Sequence, residues 1–290
     1  MAMRPRTLPV SIGPVCVGTA IAFSQASFQL GPAVAAGIGA LLLQIGSNFA
    51  NDVFDFEKGA DTEDRIGPPR ATQLGLLSPQ DLKRGMVGVF TLAILVGIYL
   101  SWVAGPVIMA VGLVSIVAAI AYTGGPWPLG YHGLGDVAVF LFFGIVAVVG
   151  TTFVQTGTLP VLAWVGALPV GALATAILVV NNLRDIDTDR AAGKRTLAVR
   201  MGRAGARGEW VLLVGAAYLI PVVLAFGVAA DSSLAQSGWV LLPWVSAPRA
   251  IRLWGVIRST EEGPALNEAL AGTAQLGFLF SLLFAVGLAA

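Results

Sequence analysis

Two short runs of acidic and amide side chains stand out in a chain that is otherwise apolar. The first reads Asn48-x-x-Asn51-x-x-x-Asp55-x-x-x-Gly59 and the second Asn182-x-x-Asp185-x-x-x-Asp189-x-x-x-Gly193. Steps of three and four residues bring side chains to one face of a helix, so Asn51 and Asp55, and likewise Asp185 and Asp189, are expected to project together. Their oxygens are hard donors that suit Mg²⁺ or Ca²⁺ rather than zinc or copper. Mg²⁺ is commonly held by one or two carboxylates together with substrate phosphates and water. Neighbouring cations fit a phosphate ligand as well. Arg184, Arg190, Lys194 and Arg195 interleave with the second run, and Arg65 and Arg70 follow the first. The one cysteine, Cys16, excludes an intrachain disulfide and implies no thiol metal site. His132, the one histidine, reads as a polar loop residue.

These runs must be carried by membrane helices. Hydrophobic residues make up 56% of the 290-residue chain and charged ones 11%, whereas a soluble surface needs about a quarter charged. Apolar stretches of spanning length, about 20 residues each, fall at 8–25, 31–50, 86–103, 105–122, 134–154, 159–180, 210–229, 239–257 and 269–288. The eighth carries Pro243, Pro248, Arg249 and Arg252. Charge argues for it nonetheless. With nine crossings all 17 Lys and Arg residues lie on one side, the cytoplasmic side by the usual bias of such loops. The polar segments 48–84 and 181–209 lie on that side and hold 11 of the 16 carboxylates, which places the site there. A secondary transporter would gather its acids near the bilayer middle. The one-sided basic residues set topology and do not suggest a nucleic-acid partner. The two runs agree in register at an offset of 134 residues. We therefore expect a single transmembrane domain with a weak internal duplication, about 1–130 and 131–290.

Asn51-Asp52-Val53-Phe54-Asp55 resembles the first Asp motif of the UbiA-type prenyltransferase superfamily, and Asp185-Ile186-Asp187-Thr188-Asp189 resembles its second. Four further stretches are similar to the branch that prenylates 1,4-dihydroxy-2-naphthoate in menaquinone synthesis. They begin at Arg4-Pro5-Arg6, Tyr122-Thr123-Gly124, Leu129-Gly130-Tyr131 and Asn181-Asn182-Leu183, and together reach to about residue 203. The resemblance implies an all-α integral membrane fold, nine transmembrane helices around a central cavity open to lipid, in the inner (cytoplasmic) membrane. It implies Mg²⁺ between the motifs, with Asn51, Asp52, Asp55, Asp185 and Asp189 as the metal set. Asp55, Asp185 and Asp189 would be catalytic, with Asp136 as a candidate substrate or base residue. Asn48, Arg65, Tyr122, Asn182, Arg184, Lys194 and Arg195 would bind substrate. The implied substrates are a polyprenyl diphosphate and an aromatic acid, joined at the carboxylated carbon with loss of CO₂. One departure stands out. Many members carry a Lys soon after the Tyr corresponding to Tyr122, and here Gly124-Gly125-Pro126-Trp127-Pro128 takes its place.

Overall fold

Lipid offers no partner for an open backbone N–H or C=O, so an apolar chain of this composition closes its hydrogen bonds within helices. The computed structural model of the protein describes residues 2–59, 66–67, 70–226 and 237–290. Arg65, one of the expected substrate ligands, lies outside them. Every regular element among the described residues is helical. In chain order these are α1 (Pro9–Ser24), α2 (Leu30–Glu57), α3 (Pro79–Ala104), α4 (Val107–Ala121) and α5 (Gly135–Thr156). There follow α6 (Val161–Arg184), the short α7 (Ile186–Ala191), α8 (Leu197–Ala225), α9 (Ala247–Ser259) and α10 (Gly263–Ala289).

Six of these, α2, α3, α5, α6, α8 and α10, are long and apolar enough to cross a bilayer, and α1 and α4 are shorter apolar helices. The crossing expected at 239–257 is divided. A 3-10 run over Gly238–Ser246 leads into α9, with Pro243 inside it. The Tyr218 hydroxyl lies 2.6 Å from Ser246 Oγ, which donates to the Pro243 carbonyl, so the break keeps its polar groups satisfied. The nine expected crossings thus correspond to six full-length helices, two short ones and one broken segment. Helix α8 is also not straight, because Gly202 takes a left-handed φ of 74° that separates a short first turn from the long apolar remainder.

Caps and close contacts set the ends and the packing. Ser78 and Asp81 form a reciprocal cap at the start of α3, with Pro79 at the first helical position. The main core lies among α1, α6, α8 and α10, where Ile21, Leu173, Phe280 and Phe284 are completely or almost completely buried. Lipid tails are as apolar as these side chains, so close packing rather than exclusion from water holds them. Gly144 of α5 meets Gly171 of α6 so closely that a Cβ on Gly144 would lie 2.7 Å from the Gly171 Cα. Thr152 on α5 donates to the Gly18 carbonyl on α1 at 3.0 Å, and Gln155 reaches Thr19 at 3.1 Å. A second, smaller cluster of Ala50, Met86 and Phe90 joins α2 to α3. Residues of α1 to α6 enclose a cavity between these two bodies.

Candidate active site

The cavity has a volume of about 470 Å³ and two unlike ends. Its polar end is built where α2 and α6 finish. Asn48, Asn51 and Asp55 come from the last turns of α2, Asn182 and Asp185 from the end of α6, and Asp189 from α7. Each helix end is marked by a glycine. Gly59 and Gly193 have φ of 68° and 73°, the left-handed conformation that ends a helix without a Cβ penalty. Away from this end the lining turns apolar, with Leu43, Val96, Leu100, Ile108, Phe142 and Val154. Phe142 belongs to a π-helical stretch of α5, Phe140–Val146. Such stretches are rare and frequent at functional sites.

Asp55 is the hub of the polar end. It is buried, and its carboxylate accepts from Arg70 Nη2 at 2.6 Å and from the Tyr131 hydroxyl at 2.8 Å, with Lys194 Nζ at 3.3 Å. The same Lys194 ammonium lies 3.9 Å from Asp189 Oδ1, so one cation bridges the two Asp runs. Arg70 also donates to the Asn51 carbonyl and places Nε 3.5 Å from Asp52. Asn51 Oδ1 accepts from Thr123 at 3.0 Å, and the Asn48 amide donates to the Met3 carbonyl. Asp189 sits on a short helix outside the spanning segments. Burial pushes its pKa up to about 6, the charges of Asp185 and Asp55 add to the shift, and Lys194 and Arg184 oppose it.

Several expected residues are not at the cavity surface. Asp52 is almost fully buried beside Arg70, with Arg4 4.0 Å away, and does not line the cavity. It stands in the wall, where it faces Arg70. Arg184 grips Asp185 through Nε at 2.7 Å and Nη2 at 2.5 Å, and is itself held by Asn267 and Asn181. It orients a carboxylate and does not face the cavity. The Arg195 side chain is exposed, and what Arg195 contributes is its backbone N–H, which donates to the Tyr131 carbonyl at 2.9 Å. Asp136 is buried beside the wall and likewise does not line the cavity. Tyr122 does line it, with its hydroxyl 2.9 Å from where a Gly135 Cβ would stand. Asn182 and Lys194 line the cavity.

Sequence reasoning missed Arg70 and Tyr131 as site residues. Arg70 reads there only as a cation following the first run, and no helical spacing links it to Asp55. Tyr131 lies within a stretch similar to the naphthoate branch, which is the one available signal. His132 stacks on Trp127 at 4.6 Å and its Nδ1 lies 2.9 Å from the Pro128 carbonyl, in keeping with a loop residue.

The donor set fits Mg²⁺. The Asn and Asp side chains of the two runs offer oxygen, and Lys194 stands between Asp55 and Asp189. Among the described residues no three His, Cys, Asp or Glu side chains converge as a metal group of their own.

Residues 11–266 match the UbiA prenyltransferase family. The chain is 38% identical to 1,4-dihydroxy-2-naphthoate octaprenyltransferase of Escherichia coli, over 99% of this chain and 93% of that protein. It is 39% identical to the protein of the same name from Mycobacterium tuberculosis, over 99% and 94%. Among solved structures, a UbiA homologue from Archaeoglobus fulgidus bound to GPP and Mg²⁺ superposes with a TM-score of 0.67 at 14% identity, covering 97% of each chain.

Proposed function

Because this chain belongs to the UbiA prenyltransferase family, we propose that it transfers a polyprenyl group from its diphosphate to 1,4-dihydroxy-2-naphthoate, giving diphosphate, CO₂ and the prenylated naphthohydroquinone, a demethylmenaquinol. The observation that carries this reading is the two-ended cavity, which joins oxygen donors and cations to a largely apolar lining in one space. Relatives of that name, aligned over nearly the whole chain, support the naphthoate acceptor.

Asn51, Asp55, Asp185 and Asp189 would hold Mg²⁺ together with the substrate phosphates. Bound there, the ion would act as a Lewis acid toward the leaving diphosphate, worth several kcal/mol of barrier. The chain's own groups do the rest. Lys194 and Arg70 supply positive charge at the mouth, where scarce water leaves electrostatic contacts strong. Tyr131 fixes the Asp55 carboxylate and Arg184 fixes that of Asp185. Asn48 and Asn182 offer amide groups to the diphosphate. The allylic C–O bond breaks with its electron pair leaving on the diphosphate. The apolar lining keeps water from the resulting cation and holds the electron-rich ring against it. Electrons of the ring form the new C–C bond at the carboxylated carbon, and the pair of the C–CO₂ bond returns to the ring as CO₂ departs. Tyr122 lines the cavity, where its ring can stack on the acceptor. We place Asp136 behind Tyr122 and not on the substrate.

We further propose a single domain of two related halves, a reading supported by the matching ends of the two Asp runs. We place the protein in the inner (cytoplasmic) membrane with the site on the cytoplasmic side, as the Lys and Arg distribution supports. The test uses purified protein, a polyprenyl diphosphate and a panel of aromatic acids, scored for prenylated product and CO₂ with and without excess chelator. Product and CO₂ from the naphthoate, lost in chelator and restored by Mg²⁺, are expected. Full turnover in chelator would sink the metal-dependent mechanism, and product from 4-hydroxybenzoate alone would move the assignment to another acceptor.

A further inference from the structure

Cations around the cavity mouth are committed to carboxylates: Arg70 to Asp55 and Asp52, Lys194 to Asp55 and Asp189, Arg184 to Asp185. Lys58 is an exception. It caps α2 three residues after Asp55, which puts it on the same side of the helix end. Its Nζ donates to the Thr123 carbonyl at 2.6 Å and lies 4.7 Å from the centroid of the Tyr131 ring. Among the described residues no carboxylate lies within ion-pair distance of it. Lys194 Nζ lies 4.8 Å from the centroid of the same ring, whose hydroxyl donates to Asp55. Two ammonium groups therefore gather around one tyrosine at the mouth. One is neutralised by carboxylates. The other, among the described residues, is held by a neutral carbonyl and the ring face.

Both Tyr131 and Thr123 line the cavity, so the ammonium of Lys58 is tethered to two of its wall residues. A carbonyl hydrogen bond on an exposed lysine is weak and readily exchanged, whereas a bond between an ammonium and a phosphate oxygen is charge-assisted and about twice as strong. The ring meanwhile keeps the ammonium at the rim through cation–π attraction without neutralising it. We propose that Lys58 is a diphosphate-binding residue, which exchanges the Thr123 carbonyl for a phosphate oxygen of the prenyl diphosphate. Lys194 and Lys58 then grip the anion from the two positions that Tyr131 sets. This inference rests on the prenyl-transfer reading above.

Lys58→Met keeps the length of the side chain and removes its charge, and Lys58→Arg keeps the charge. The residue is exposed, so both variants should fold, and their melting temperatures without ligand check this. The first readout is stabilisation of the purified protein by inorganic diphosphate, titrated with and without Mg²⁺. Lys58→Met should need about tenfold more diphosphate for half-maximal stabilisation, and Lys58→Arg should restore most of it. The second is steady-state prenylation. KM for the polyprenyl diphosphate should rise by a similar factor in Lys58→Met, with KM for the naphthoate and kcat little changed. A wild-type diphosphate midpoint in Lys58→Met overturns the proposal, and so does a lowered melting temperature with no change in that midpoint, which would make Lys58 a loop tether. Diphosphate binding needs no acceptor. Wild-type protein that binds diphosphate but prenylates no naphthoate would therefore refute the acceptor assignment, while the midpoints would still decide the role of Lys58. Wild-type protein that binds no diphosphate would overturn both.

Discussion

Arg70→Met is the most direct test of how the first Asp run is held. Arg70 is 8% exposed and stands between two carboxylates that are 1% and 2% exposed, Asp52 and Asp55. Its guanidinium is 2.6 Å from one and 3.5 Å from the other, and it donates to the Asn51 carbonyl as well. Methionine fills a similar volume but removes one hydrogen bond from that carbonyl and leaves the charge of two buried carboxylates less balanced. Lys194 and Tyr131 still serve Asp55, so most of the loss falls on Asp52. Removing one partner of a buried pair costs about 3–5 kcal/mol. In a chain of this size that corresponds to a fall in melting temperature on the order of 10 °C. Thermal unfolding of the detergent-solubilised protein, followed by tryptophan fluorescence, reads it. The second variant makes the reasoning falsifiable. Asp52→Asn in the Arg70→Met background removes the charge that Arg70 balances, so the double variant should recover at least half of the lost stability. A double variant no more stable than Arg70→Met alone would show that the loss comes from packing or the loop and not from a stranded carboxylate.

Asp55→Asn and Asp189→Asn each remove one negative charge with little change of shape. Each should lower kcat by at least about 10²-fold in well-folded protein, and normal turnover in both would return the two runs to ordinary loop charges. The pH dependence follows from Asp189, whose pKa of about 6 stands above its ordinary 3.8. The folded protein without metal therefore keeps a proton there that the unfolded chain has lost. That contribution to stability is full below 3.8 and is gone once the pH has risen through about 6. Divalent ions need the deprotonated form, so stabilisation by Mg²⁺ should grow as the pH rises through 6, and equal stabilisation on both sides would refute this account. For topology, a single cysteine placed within 155–160 of a Cys16→Ser protein should be labelled from outside the cell, and one within 204–208 from the cytoplasm. Labelling of both from the same side would show a wrong count of crossings between them.

Much of the fold was legible because its signals are local. Apolar length marked α2, α3, α5, α6 and α10 to within a few residues at most of their ends, since lipid permits few alternatives to a helix. The ends of the Asp runs were legible too. A glycine at each of positions 59 and 193 marks where the chain can turn left-handed, and it does so at both. The broken eighth crossing was signalled by Pro243 and Pro248 but not described by them. Whether such a segment coils as 3-10 or α depends on partners such as Tyr218, which the sequence places 28 residues away from Ser246.

The polar spacing determined that Asn48, Asn51, Asp52 and Asp55 share one stripe of α2, but not which of them would face the cavity. At about 100° per residue Asp52 lies at the edge of that stripe, some 60° from Asp55. The seating of α2 against its neighbours decides that Asp55 enters the cavity and Asp52 the wall. The choice among basic residues was of the same kind. Lys58 caps α2, Arg70 and Lys194 lie beyond the helix ends and meet Asp55, and Arg195, next to Lys194 in the chain, turns out to solvent. Sequence by itself determined a helical membrane protein with two acidic runs at one membrane face, because periodicity and hydrophobic length are properties of neighbouring residues. Tertiary structure alone decided which cations meet which carboxylates, because a charged side chain is positioned by whatever packs around it, and those groups lie tens to hundreds of residues away.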